Sequence, residues 1–109
     1  MKSLGIDIGT TTISAAVIDP AANTVLTTRT VPNDSFIRTD KSWEKIQDPE
    51  KICAKVFDLA DELLDEYGEI DRIGLTGQMH GIVYVDREGE CIGPLYTWQD
   101  ERGAIPCPC

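Results

Sequence analysis

The sequence predicts an α/β chain in the order β-β-β-α-β followed by a β-ribbon, and three observations carry that expectation. Three short runs rich in Ile, Val and Thr open the chain, separated by Gly9-Thr10-Thr11 and by Pro20-Ala21-Ala22-Asn23. Apolar residues then recur at helical spacing from Ile52 to Tyr67. Further apolar runs follow, the last two joined by the turn-forming tetrad Arg87-Glu88-Gly89-Glu90.

Taken in order, residues 3–8, 12–19 and 24–31 read as strands, and two hairpins in succession make an antiparallel meander. Residues 32–42 have no clear period and carry Pro, Asn, Asp and Ser, so a loop is expected there. Asp48-Pro49-Glu50 opens a helix: Asp48 can cap, Pro49 suits the first helical position, and Glu50 complements the positive end of the helix dipole. Ile52, Val56, Leu59, Leu63 and Tyr67 share one helical face, and Gly68 ends the helix. Residues 71–76 form the next strand, and residues 82–86 with 91–96 form the ribbon. Residues 104–109 hold two prolines and no period, an atypical tail.

At 109 residues, 41% of them hydrophobic, the chain can supply the core of one folded unit. Nineteen acidic against ten basic residues give a formal charge of -9, which argues against nucleic acid or an anionic membrane surface as a partner. That charge is no bar to a nucleotide gripped by local backbone N–H groups. Met1-Lys2-Ser3 leads straight into a strand, and no apolar run approaches the roughly 18 residues of a membrane span, so a cytoplasmic location is expected. Cys53, Cys91, Cys107 and Cys109 are irregularly spaced and are expected as free thiols, Cys53 and Cys91 in core or half-buried positions. Cys107-Pro108-Cys109 could form half of a metal or iron–sulfur site, although no C-x-x-C or His lies beside it.

Two constellations carry chemistry. In the first, Asp7 stands between Ile6 and Ile8, where a buried carboxylate would be costly without a partner such as a metal ion. Gly9 permits a tight turn, and Thr10, Thr11 and Thr12 offer hydroxyl and N–H groups to phosphate oxygens. Such a hairpin can grip a phosphate tail while Asp7 holds Mg²⁺ through water. An ordinary hairpin with an Asp at its strand end is the competing reading. Residues 4–19, LGIDIGTTTISAAVID, resemble the first phosphate motif of the actin, Hsp70 and sugar-kinase superfamily. The resemblance implies a ribonuclease H-like (actin-like ATPase) fold, here partial, with the hairpin facing the phosphates of ATP and Asp7 helping to bind magnesium. Activator ATPases of 2-hydroxyacyl-CoA dehydratases open in a very similar way and hold an iron–sulfur cluster with cysteines, so they stand as the rival.

The second constellation is Gly77-Gln78-Met79-His80-Gly81 with Trp98, Gln99, Asp100 and Arg102. Polyols need directional donors and acceptors with an aromatic surface behind their C–H faces, and these residues offer that mixture. Singly, His80 reads equally as a structural histidine, Trp98 as a packing aromatic and Asp100 with Arg102 as a solvated turn. Together the segments resemble the FGGY carbohydrate kinases, with their GQMHG-like and W-x-D-x-R-like sequences, and Ser42-Trp43 and Gln47-Asp48-Pro49-Glu50 extend the likeness. By that resemblance Gln78, Met79, His80, Trp98, Asp100 and Arg102 line a sugar site. The GQMHG spelling points to kinases of ketoses, of xylulose or sedoheptulose type, and PLYTWQDERG looks most like the sedoheptulose type. The family's proteins are two-domain enzymes several times longer, with a catalytic aspartate later in the first domain. The resemblance therefore implies that residues 1–109 are part of an amino-terminal domain and are inactive alone. A non-catalytic remnant is the third reading.

Overall fold

The computed structural model describes residues 1–105, which divide into two units: Met1–Asp34 with Ile52–Gln78, and Ser35–Lys51 with the residues from Met79 onward. In the first unit, β1 (Lys2–Ile8), β2 (Thr12–Asp19), β3 (Thr24–Pro32) and β5 (Ile70–Gly77) form one sheet in the order β3-β2-β1-β5. β1 runs antiparallel to β2 and parallel to β5. Because strand side chains alternate between faces, the registers Leu4↔Val17, Ile6↔Ala15 and Ile8↔Ile13 gather the large apolar groups on one side. Leu4, Ile6, Ile13, Ala15 and Val17 are all buried.

The helix α1 (Pro49–Tyr67) contributes Ile52, Leu59, Ala60 and Leu63 to the core, which matches the expected apolar face apart from Val56 and Tyr67, both half-buried. Asp48 caps it as expected, its Oδ1 accepting from the N–H of Glu50 at 3.0 Å and of Lys51 at 3.3 Å. Gly68 closes it in the left-handed region, donating its N–H to the Leu64 carbonyl at 2.9 Å. Arg29, in register with Ala15 and so on the buried face of β3, ion-pairs with Glu62 and Glu66 of α1. Lys2 Nζ donates to the Tyr67 carbonyl at 2.9 Å, placing a cation at the negative end of the helix.

The opposite face of the sheet is open. Asp7 lies on it, in register with Ser14 on β2 and Thr76 on β5, and is exposed. The expectation of a buried carboxylate is therefore corrected: alternation turns Ile6 inward and Asp7 outward, so no desolvation cost attaches to it.

The second unit departs from the expected ribbon. Only β6 (Leu95–Tyr96) is a regular strand there, and its partner is β4 (Ile46–Gln47), in a stretch where no strand was expected. Residues 82–92 keep only isolated bridges, Val85↔Cys91 and Ile82↔Tyr96. The physical reason is local: Gly93 has φ of +87°, which bends the return arm, and Pro94 has no N–H for a ladder. At the tip Asp86 Oδ1 accepts from the N–H groups of Glu88 and Glu90, both at 2.9 Å, adding side-chain bonds to a backbone turn in which the Asp86 N–H donates to the Glu90 carbonyl at 2.9 Å and the Gly89 N–H to the Asp86 carbonyl at 3.0 Å. The stretch expected as a loop also pairs, through Phe36↔Gln47 and through the Ile37 N–H to the Ile46 carbonyl at 2.9 Å. A short 3₁₀ turn, Arg102–Ala104, follows. No helix among the described residues is long and apolar enough to cross a membrane.

Candidate functional site

The turn from β1 to β2 is tight for a steric reason. Gly9 donates its N–H to the Thr12 carbonyl at 2.9 Å, and a Cβ at position 9 would lie 2.7 Å from that same oxygen. Only glycine fits without moving backbone. Two residues brace the turn from outside it. Asn33, buried at the end of β3, donates Nδ2 to the Gly9 carbonyl at 2.8 Å and its own N–H to the Thr11 carbonyl at 2.8 Å. Gln78 donates its N–H to the Ile8 carbonyl at 2.9 Å and accepts the Thr10 hydroxyl proton at 3.0 Å. Thr11 and Thr12 are exposed above this braced loop, and Asp7 faces solvent one residue before β1 ends. A rigid, small-residue turn with outward hydroxyls and one nearby carboxylate suits a phosphate tail carrying a divalent ion.

In the second unit His80, Ile82, Tyr84, Tyr96, Thr97, Trp98, Asp100 and Arg102 line a cavity of about 460 Å³, within the size range of small-ligand sites. Trp98 is 56% exposed, so its ring does not fill a core. Tyr84 and Tyr96 meet edge to face at 6.1 Å between centroids, forming an aromatic wall. His80 has φ of +62°, a conformation few non-glycine residues adopt, and the imidazole lines the cavity from that position.

Asp100 and Arg102 are locked together. Arg102 Nε donates to Asp100 Oδ1 at 2.7 Å, and Nη2 donates to Asp100 Oδ2 at 3.1 Å and to Glu44 Oε2 at 2.9 Å. The guanidinium lies over the rings of Tyr96, 4.3 Å from its centroid, and of Trp43, at 5.4 Å. Asp100 also accepts from the N–H of Lys45 at 2.8 Å and of Arg102 at 3.1 Å. Hydrogen bonds from Arg102, opposed by burial and aided by the Lys45 N–H, hold the Asp100 carboxyl down at about 2. Thr97, buried beneath, donates both its N–H and its hydroxyl to the Lys45 carbonyl. Residues 43–45 are thereby clamped to residues 97–102, and Trp98 and Gln99 project from the clamp.

The predicted site residues thus fall in two groups. Asp7, Gly9, Thr10, Thr11, Thr12 and Gln78 belong to the first unit; Met79, His80, Trp98, Asp100 and Arg102 belong to the second. Met79 is 71% exposed and does not line the cavity at Trp98. Sequence reasoning missed Asn33, Glu44, Tyr84 and Tyr96. The two tyrosines alternate with apolar neighbours in the ribbon pattern, which was a readable signal, whereas the roles of Asn33 and Glu44 depend on contacts distant in sequence. Among the described residues no three His, Cys, Asp or Glu side chains converge as a metal cage. Cys53, expected in a core or half-buried place, is exposed; Cys91 is half-buried as expected. The reading of Cys107 and Cys109 as ligands lies outside the described residues.

Comparison with known proteins agrees with the two motifs. The N-terminal domain of the FGGY family of carbohydrate kinases matches residues 2–109. A xylulose kinase of Staphylococcus xylosus is 32% identical over 101 residues, covering 91% of this chain and 20% of the relative. The crystal structure of a xyloylose kinase from Brucella ovis superposes with a TM-score of 0.77 at 30% identity, over 94% of this chain and 22% of that one. A gluconate kinase structure from Lactobacillus acidophilus reaches a TM-score of 0.81 at 24% identity, over 91% of this chain and 20% of its own length, a likeness of fold. The chain spans about a fifth of the length of these proteins.

Proposed function

The chain belongs to the FGGY family of carbohydrate kinases, and on that premise we propose that it supplies the phosphate-binding turn and the sugar pocket of an ATP-dependent kinase acting on a ketose of xylulose or sedoheptulose type. The observation that carries the sugar half is the cavity at Trp98. It joins an exposed indole and a tyrosine wall, suited to the C–H faces of a sugar, to the polar groups of His80 and Arg102, suited to its hydroxyls. Met79 precedes the lining residue His80 in sequence without lining the cavity, and Gln78 belongs to the first unit, where it braces the Gly9 turn. Arg102 Nη1 has no partner among the described residues, so one edge of the guanidinium is left to donate.

On the nucleotide side the exposed Thr11 and Thr12 offer hydroxyls to phosphate oxygens, while Gly9 and Thr10, whose N–H and hydroxyl are bonded to the Thr12 carbonyl and to Gln78, hold the turn in shape. Asp7 fits a Mg²⁺ that arrives with ATP, since magnesium in phosphoryl-transfer sites commonly takes one or two carboxylates, phosphate oxygens and water, and needs no cage of protein ligands. When bound, that ion neutralises charge on the phosphates.

The sugar hydroxyl must lose a proton as it takes the phosphoryl group. Asp100 is the one carboxylate lining the cavity at Trp98 and cannot be the acceptor: both oxygens already receive hydrogen bonds, and a group that titrates at about 2 is a weak base near neutral pH. Asp100 is therefore not the proton acceptor, and the chain taken alone is expected not to turn over sugar.

The test is tryptophan fluorescence in a Trp43→Phe background, so that Trp98 is the single reporter. Adding D-xylulose or sedoheptulose is expected to change its emission saturably, with loss of the change on His80→Ala. An emission indifferent to ketoses, or equally responsive to glycerol and gluconate, would contradict a ketose pocket.

A further inference from the structure

Beside the sugar pocket, the second unit carries a groove of about 570 Å³ lined by Arg38, Lys41 and Lys45, with Ser42 and Gln99 at its edge. Three of the ten basic residues of a chain with formal charge -9 meet there. Elsewhere several cations are ion-paired: Arg29 with Glu62 and Glu66, Lys55 with Asp34, Arg102 with Asp100 and Glu44. In the groove the side chains of Arg38 and Lys45 have neither an ion pair nor a hydrogen bond among the described residues, although acids outnumber bases almost two to one. Lys41 Nζ rests 5.3 Å from the Trp43 ring centroid and also acts electrostatically on Glu44.

The one acid in the lining, Glu44, is committed elsewhere. Its carboxylate accepts from the Thr39 hydroxyl at 2.6 Å and from Arg102 at 2.9 Å, and those bonds hold it below the usual carboxylate range. Arg102 is shared between Glu44 and Asp100 and cannot neutralise both, so the groove sets three cations against the one carboxylate of Glu44 and keeps a net positive charge facing one concavity. A planar guanidinium fork beside two ammonium groups, with a hydroxyl and an amide at the rim, matches a tetrahedral dianion better than a singly charged carboxylate.

We propose that this groove binds a small anion bearing a phosphomonoester group. Inorganic phosphate, a sugar monophosphate and a nucleotide share that chemistry, and the groove stands whether or not the cavity at Trp98 takes a ketose. Calorimetric titration of the 109-residue chain with phosphate, xylulose 5-phosphate, AMP and unphosphorylated xylulose separates them. At least one phosphate-bearing ligand is expected to bind, and to weaken about ten-fold when salt rises from ~0.05 M to ~0.5 M, where screening shortens to a few ångströms. Affinity should also rise as pH passes about 6, where the phosphomonoester takes its second charge. Arg38→Gln with Lys45→Gln is expected to weaken binding about ten-fold or more, while Arg87→Gln, a cation outside the groove, changes nothing. The tightest of the three ligands then identifies the source. No heat with any phosphate-bearing ligand, affinity insensitive to salt, or an equal loss in Arg87→Gln would overturn the proposal. The salt and pH series need no substitution, so they decide the matter even if a variant misfolds.

Discussion

Asp100 is where a single residue most constrains the chemistry. Its folded-state pKa of about 2 lies below the roughly 3.9 of an unfolded chain, so the stabilisation from its bonds to Arg102 and Lys45 is complete above about pH 4 and fades as pH falls toward 2. Asp100→Asn should cost about 1–3 kcal/mol at neutral pH, because Arg102 loses its main acceptor, and should flatten the decline in stability between those two values. Urea midpoints measured at several pH values check both; an unchanged acid profile in the variant would show that Asp100 is not the titrating group. His80 is expected to behave in the opposite sense. Its φ of +62° suits glycine, so His80→Gly should leave stability within about 1 kcal/mol of the parent while ketose affinity falls, as thermal melts and fluorescence titration would show. At this scale the sequence displayed Asp7, Gly9 and the GQMHG and WQDER spellings openly, since each combines an unusual residue with a turn. It hid Glu44 and Asn33, because their work is done on Arg102, 58 positions away, and on Gly9, 24 positions away.

Among the elements, β1, β2, β3, α1 and β5 were legible because alternation or helical spacing ran long enough to be periodic and because Asp48, Pro49 and Gly68 mark the helix ends. β4 was not legible. A two-residue strand has no period, and Gln47, fully buried, reads as polar surface in a sequence. The ribbon was legible as a turn at Asp86 to Glu90 but not as a broken ladder, since what breaks it is the left-handed backbone at Gly93 followed by Pro94. Two substitutions test the elements. Asp48→Ala should cost about 1 kcal/mol by freeing the N–H groups of Glu50 and Lys51, read from denaturant unfolding. Gly9→Ala should cost about 1–3 kcal/mol and disturb the turn, since the new methyl would meet the Thr12 carbonyl at 2.7 Å, and it should abolish Mg·ATP binding with it. A Gly9→Ala chain that binds Mg·ATP as tightly as the parent would sink the phosphate role of the turn.

For the whole molecule, the proposed roles fall in separate units, phosphate binding at the Gly9–Thr12 turn in the first and sugar binding at the Trp98 cavity in the second. The chain covers about a fifth of its relatives, and Asp100, the only carboxylate lining the cavity at Trp98 among the described residues, is too acidic to serve as a base. A coupled assay of ADP release with xylulose and sedoheptulose should therefore register no turnover from the 109-residue chain. The most direct measurement of the central claim is calorimetry of the unchanged chain, Asp7→Ala and Trp98→Ala, each titrated separately with a ketose and with Mg·ATP. A crossed pattern is expected, in which Asp7→Ala loses Mg·ATP and keeps the ketose while Trp98→Ala loses the ketose and keeps Mg·ATP. Equal loss of both ligands in either variant, or no ketose binding by the unchanged chain, would contradict it.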